Sequence, residues 1–194
     1  MKRRLLLSGP IGCGKSTMIR NALGEDAVKA GGYVTLRVFE QERLRGFNLA
    51  PAAALADTEK RKLACRFLDF SQTPRRNPAA FSVLGRDMLL SALESPYAVI
   101  DEFGGMELLI SPFMEALQEL LASDVPCIGV FKTPQASREL TARIDMGDNY
   151  RRAYEALRNQ LLADPDTELL STSGRYDAEA KKQVELWVQK YVRK

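Results

Sequence analysis

The stretch Ser8 to Thr17, SGPIGCGKST, follows the apolar run Leu5-Leu6-Leu7 and leaves this chain little freedom in how it can fold. Gly9, Gly14, Lys15 and Ser16 satisfy G-x-x-x-x-G-K-[ST], the pattern of a phosphate-binding loop joining a strand to a helix. Glycines at positions 9, 12 and 14 have no Cβ, so the loop can take positive φ and turn its backbone N–H groups around a phosphate. A helix starting near Gly14 adds free N–H groups and the positive end of its dipole. The pattern gives Lys15 to the β- and γ-phosphates of a nucleotide and the Ser16 hydroxyl to Mg2+. The expected phosphate-contacting set is Gly9, Pro10, Ile11, Gly12, Cys13, Gly14, Lys15, Ser16 and Thr17. Met18, Ile19, Ala22 and Leu23 then recur at helical spacing, with Gly24 as a stop signal.

A second stretch, Tyr97 to Leu109 (YAVIDEFGGMELL), completes the pattern. Tyr97-Ala98-Val99-Ile100 reads as a buried parallel strand, and it runs into two carboxylates. Ligands of open α/β sheets sit at the carboxyl ends of strands, which is where these acids fall. Asp101 is expected in the shell of the Mg2+ with Ser16. Glu102 is expected near the γ-phosphate, able to orient or deprotonate water, with Lys15 as its partner in catalysis.

At 194 residues one domain is expected. The absence of histidine excludes His-based dyads, triads and metal ligands. Cys13, Cys65 and Cys127 are odd in number and scattered, which argues against a disulfide framework or zinc site. Apolar neighbours suggest that Cys65 and Cys127 are buried. The N-terminal MKRRLLL has the charge order of a signal peptide, but Gly9 interrupts it too early. With no apolar run long enough for a membrane span, a cytoplasmic protein is expected. A net charge of +3 is too small to argue for a nucleic-acid partner.

Between the two motifs, Tyr33–Phe39 and Leu44–Leu49 flank the polar turn 40–43 and read as an antiparallel hairpin, taken as an edge extension of the sheet. A short strand is expected at Leu63–Leu68, a loop at Ser71–Asn77 and a helix at Arg86–Leu93. Pro112–Leu121 reads as an amphipathic helix and Pro126–Phe131 as a strand. A helix at Tyr150–Leu162, a short strand at Glu168–Ser171 and a closing helix at Ala178–Val192 follow. Arg75 and Arg76 could contact phosphates or an acidic substrate, but a solvated loop is the favoured reading. Lys132, Arg138 and Arg143 follow a strand end and supply either an arginine finger or lid residue or ordinary surface charges, between which the sequence does not choose.

The GPIGCGKST loop, the YVTLRVFEQERLRGFNL hairpin and the VIDEFGGMEL segment together resemble the small P-loop nucleoside-triphosphatases first described from thermophiles, the family that includes the human cancer-related nucleoside-triphosphatase. Asp101, Glu102, Gly104, Met106 and Glu107 match that family's Asp-Glu-Ile-Gly-x-Met-Glu motif. Phe103 replaces the isoleucine, and Arg37 stands where the family tends to be acidic. The likeness covers residues 1 to about 130. It implies an α/β fold with a RecA-like, mostly parallel sheet flanked by helices, carrying the antiparallel hairpin as an extension. It also implies slow Mg2+-dependent hydrolysis of nucleoside triphosphates such as ATP and GTP to the diphosphate and phosphate. A monomer is expected. Two alternatives stay open at this point: a P-loop kinase of a small metabolite, and a nucleotide-dependent switch or assembly factor.

Overall fold

The computed structural model describes residues 1–72, 75–136, 147–174 and 176–193. Its strands are β1 (Arg4–Ser8), β2 (Gly31–Glu40), β3 (Arg43–Pro51), β4 (Cys65–Asp69), β5 (Arg75–Arg76), β6 (Ala98–Phe103), β7 (Cys127–Phe131) and β8 (Thr167–Ser171). They form one sheet in the order β5-β4-β3-β2-β6-β7-β1-β8. From β2 to β8 every pairing is parallel, and from β2 outward to β5 every pairing is antiparallel. The helices are α1 (Lys15–Leu23), α2 (Arg86–Ser91, entered through a π-turn at Ala80–Gly85), α3 (Ser111–Ala122), α4 (Gly147–Ala163) and α5 (Ala178–Tyr191).

The period of two along the central strands sorts their side chains into two cores. Leu5, Leu7, Val99, Ile128 and Val130 face α1 and α5, where Ile19, Val184, Trp187 and Val188 cover them. Leu6, Ile100, Cys127 and Phe131 face the opposite way, under Leu89 of α2, Phe113 and Leu117 of α3, and Tyr154 and Leu157 of α4. With helices on both faces, the strands can be apolar throughout, as Leu5-Leu6-Leu7 requires. The expected α/β architecture is observed.

Most expected elements are present, with shifted ends. The hairpin is longer than expected, because Gln41 and Glu42 alone make its turn, at φ 47° and 62°. That geometry matches the twist of the two strands. Cys127 is buried as expected, but Cys65 is only half-buried, because β4 lies near the edge of the sheet. Arg75 and Arg76 sit exposed on the short edge strand β5.

The parallel strands all point their carboxyl ends to one edge of the sheet. Along β6, strand β2 is in register from Gly31↔Ala98 to Tyr33↔Ile100. Its remaining residues continue past that edge with β3, so the hairpin stands up as a wall beside the phosphate-binding loop. Among the described residues, no helix is long and apolar enough to cross a membrane.

Candidate functional site

The loop after β1 is shaped by glycines for two different reasons. Gly12 and Gly14 have φ of 76° and 99°, in the left-handed region that glycine tolerates. Gly9 does not have positive φ, contrary to expectation. A Cβ there would stand 2.1 Å from the Thr172 carbonyl oxygen, so Gly9 is required by the close approach of the chain leaving β8. The Lys15 ammonium is buried and donates to the Gly9 and Pro10 carbonyls at 2.8 and 2.7 Å. It is thereby held in the curve of the loop, with its charge compensated by backbone oxygens.

At the end of β6 the ladder is broken by a bulge. Ile100 pairs with Gly129 and Phe103 with Phe131, so Asp101 and Glu102 together face Val130 alone. In a regular strand consecutive side chains point to opposite faces. Here the extra residue, with Glu102 at φ 64°, lets both carboxylates line one cleft. A non-glycine residue held in that conformation is strained, and such strain concentrates at functional sites.

Asp101 is buried, and Ser16 Oγ donates to its Oδ1 at 2.6 Å. Its Oδ2 accepts from the Thr35 hydroxyl at 3.3 Å and, more weakly, from the Thr35 backbone N–H at 3.4 Å. Burial raises the Asp101 carboxyl to about 6, against the opposing pull of its hydrogen bonds and with a push from Glu102. No motif in the sequence points to Thr35. Its only signal is a hydroxyl inside the apolar run Tyr33-Val34-Thr35-Leu36.

Lys132, just past β7, lies 3.6 Å from Glu102 Oε1. It reaches there over Gly105, where a Cβ would stand only 3.0 Å from Lys132 Cε. Burial pulls the Lys132 ammonium down, but Glu102 and Glu107 outweigh it and hold the group above its ordinary value. Glu107 is buried and accepts from the Gly105 N–H at 2.6 Å, closing the turn after β6. Burial raises its carboxyl, and the Lys132 charge opposes that rise. Tyr154 OH donates to the Lys132 carbonyl and Tyr150 OH to that of Gly104, both at 2.8 Å, anchoring both strand ends to α4.

Of the expected loop residues, Ile11, Gly12, Gly14, Lys15, Ser16 and Thr17 line a cleft of about 680 Å³ shared with Asp101 and Glu102. Gly9 borders a smaller pocket beside it, between Lys15, Glu102 and Lys132. Pro10 and Cys13 line neither, and Cys13 packs instead against Gly174. The far wall of the cleft is the hairpin, through Thr35, Arg37, Phe39, Phe47 and Asn48. The hairpin is therefore part of the site rather than only an edge extension. Arg75 and Arg76 do not line the cleft, and Arg138 and Arg143 lie outside the described residues.

Among the described residues, no three His, Cys, Asp or Glu side chains converge on a point that could hold a metal. The oxygens available are the Ser16 hydroxyl and the Asp101 carboxylate, a hard-donor pair. Such a pair suits Mg2+, which keeps several waters and takes its remaining ligands from phosphates rather than from an all-protein cage.

The chain is 27% identical over 161 residues to the Nucleoside-triphosphatase THEP1 of Methanosarcina barkeri, covering 79% of this chain and 86% of that protein. It is 26% identical over 152 residues to the Cancer-related nucleoside-triphosphatase homolog of Mus musculus, covering 70% and 78%. In three dimensions it is similar to the crystal structure of THEP1 from Aquifex aeolicus, with a TM-score of 0.62 at 16% identity over 98% of this chain and 99% of that one. The solution structure of a human cancer-related nucleoside triphosphatase gives a TM-score of 0.50 at 18% identity, over 84% and 98%. At these identities the two structures establish the fold alone. The family model described as NTPase matches residues 4–162, further along the chain than the motifs alone reach. With most of its length matched, from the strand before the phosphate-binding loop to the end of α4, the chain belongs to this NTPase family.

Proposed function

We propose that the protein hydrolyses nucleoside triphosphates, ATP and GTP among them, in a Mg2+-dependent reaction in which Glu102 activates the attacking water. The bulge at the end of β6 carries this reading, because it turns Asp101 toward Ser16 and Glu102 toward the same cleft as Lys15. The names of the relatives, nucleoside-triphosphatases of two Methanosarcina species and Mus musculus, support the hydrolysis of nucleoside triphosphates in general.

The backbone N–H groups of the loop and Lys15 bind the β- and γ-phosphates, with Lys15 exchanging its carbonyl partners for phosphate oxygens. Ser16 and Asp101 hold Mg2+, which when bound neutralises the charge of the β- and γ-phosphates. Thr35 fixes the Asp101 carboxylate. Glu102 takes the proton from water as the water oxygen bonds to the γ-phosphorus. The bond to the β,γ-bridging oxygen breaks, and the diphosphate leaves. Lys132 holds the Glu102 carboxylate in place across the smaller pocket. We read residues 1–194 as one domain, acting as a cytoplasmic monomer on free nucleotides without a nucleic-acid partner.

The test is phosphate release from ATP and GTP by the purified protein, with Mg2+ and with a chelator in its place. Release that needs Mg2+ and is lost in Lys15→Ala is expected. Release that survives in Lys15→Ala would place the reaction elsewhere.

A further inference from the structure

The cleft extends well past the groups that the hydrolysis reading uses. Along the carboxyl edge of the sheet the order is the loop on β1, the carboxylates on β6, Thr35 on β2, and then the rest of the hairpin. Lys15, Ser16 and Asp101 mark the β,γ end of a bound phosphate chain. The space beyond Thr35 therefore faces the γ-phosphate from outside and lies away from the nucleoside. At about 680 Å³ the whole cleft is within the size range of sites that enclose an organic ligand.

The chemistry of that outer part is specific. Arg20 of α1, Arg37 of β2 and Arg61, on the turn Lys60–Leu63, all line the cleft. None of the three pairs with a carboxylate among the described residues, as is also true of Arg43, Arg75, Arg76, Arg152 and Arg158, but Arg20, Arg37 and Arg61 are the ones gathered on one cleft. Arg61 is fixed through Nε, which donates to the Ala54 carbonyl at 2.9 Å, and among the described residues its two terminal nitrogens meet no hydrogen-bond partner. Arg37 leans over the loop, its Nη2 4.0 Å from where a Cβ on Gly12 would stand. Guanidinium forks with no acid opposite them match the oxygens of phosphate or carboxylate. Beside them are two aromatic rings. Phe47 is backed by Phe67 and Phe70, each at 6.1 Å between ring centres, and Phe39 leaves 56% of its surface exposed. Flat aromatic faces at the edge of a cationic cleft suit a planar ring.

We propose that the hairpin side of the cleft is a second ligand subsite, taking an organic monophosphate with a planar ring, the size of a nucleoside monophosphate, while the phosphate-binding loop holds the triphosphate. The juxtaposition of Arg37 and Arg61 with Phe39 and Phe47, beyond Asp101, carries it. The inference rests on the triphosphate occupying the loop as described above. It does not rest on Glu102 as the base.

The experiment loads the protein with Mg2+ and a non-hydrolysable β,γ-imido triphosphate, then titrates AMP, GMP, CMP and UMP by calorimetry. At least one monophosphate is expected to bind the loaded protein one to one. Its affinity should fall about tenfold or more in Arg37→Ala and in Arg61→Ala, the scale of losing a charged hydrogen-bond partner. Absence of binding by all four to the loaded protein overturns the proposal. So does displacement of the analogue by the monophosphate, or an equal loss of analogue affinity in both variants, which would put the nucleoside half of the triphosphate in this cleft. Phosphate release by the unmodified protein is measured in parallel. Its absence would refute the hydrolysis reading while leaving the titration free to decide the subsite.

Discussion

Ser16 Oγ lies 2.6 Å from Asp101 Oδ1, a hydrogen bond that joins residues 85 apart in sequence and crosses over the intervening strand β7. It brings the first turn of α1 to the end of β6 and sets two hard oxygen donors side by side. Thr35, from β2, holds the carboxylate from its other side. One aspartate at the end of β6 is thus gripped from two other parts of the chain.

Thr35→Val keeps the shape of the side chain and removes the hydroxyl that meets Asp101 Oδ2. Groups that orient a metal-holding carboxylate are worth on the order of tenfold or more in metal affinity. The Mg2+ concentration giving half-maximal turnover should rise by about that factor in this variant. An unchanged Mg2+ titration would mean that Thr35 only packs against the site.

Two loop glycines separate steric from conformational demands. Gly9→Ala drives a Cβ into the Thr172 carbonyl and should cost about 3 kcal/mol, lowering the melting temperature by roughly 5–10 °C. Gly12→Ala meets nothing closer than 4.0 Å and should cost only the strain of its positive φ, about 1–2 kcal/mol. Calorimetric melting of both variants checks the order. A Gly12→Ala as damaging as Gly9→Ala would contradict it.

Cys13 is half-buried, with its Sγ 3.7 Å from Lys15 Nζ. A bulky thiol reagent on Cys13 should inactivate the protein, and Mg-nucleotide should protect it. Cys13→Ala should stay active, because the loop uses backbone N–H groups at that position. Inactivity of a folded Cys13→Ala would give the thiol a chemical role that the loop geometry does not require.

The parts of the site visible in the sequence were those encoded within a few residues of chain. Gly12, Gly14, Lys15 and Ser16 announce the loop through their spacing alone, and the run Val99-Ile100-Asp101-Glu102 announces a strand ending in acids. What the sequence hid depends on partners far away in the chain. The bulge exists only relative to β7, so nothing in Asp101-Glu102 itself says that both side chains share a face. Gly9 reads as a positive-φ position until Thr172 is placed against it. The hairpin looks like an edge extension until its register along β6 shows it rising past the sheet. In the sequence Lys132 is one candidate among several cations, and the missing Cβ at Gly105 is what lets it reach Glu102.

The central claim is that Glu102 activates water, and single-turnover hydrolysis measured alongside nucleotide affinity tests it most directly. Glu102→Gln keeps the size of the side chain and leaves Ser16 and Asp101 in place, so Mg-nucleotide should bind about as tightly as to the unmodified protein. Its hydrolysis rate should fall on the order of 10²-fold or more, the scale of losing a positioned base. Asp101→Asn, measured beside it, should instead change the dependence on Mg2+. Hydrolysis by Glu102→Gln at the unmodified rate would contradict the account, because the water would then be activated by another group.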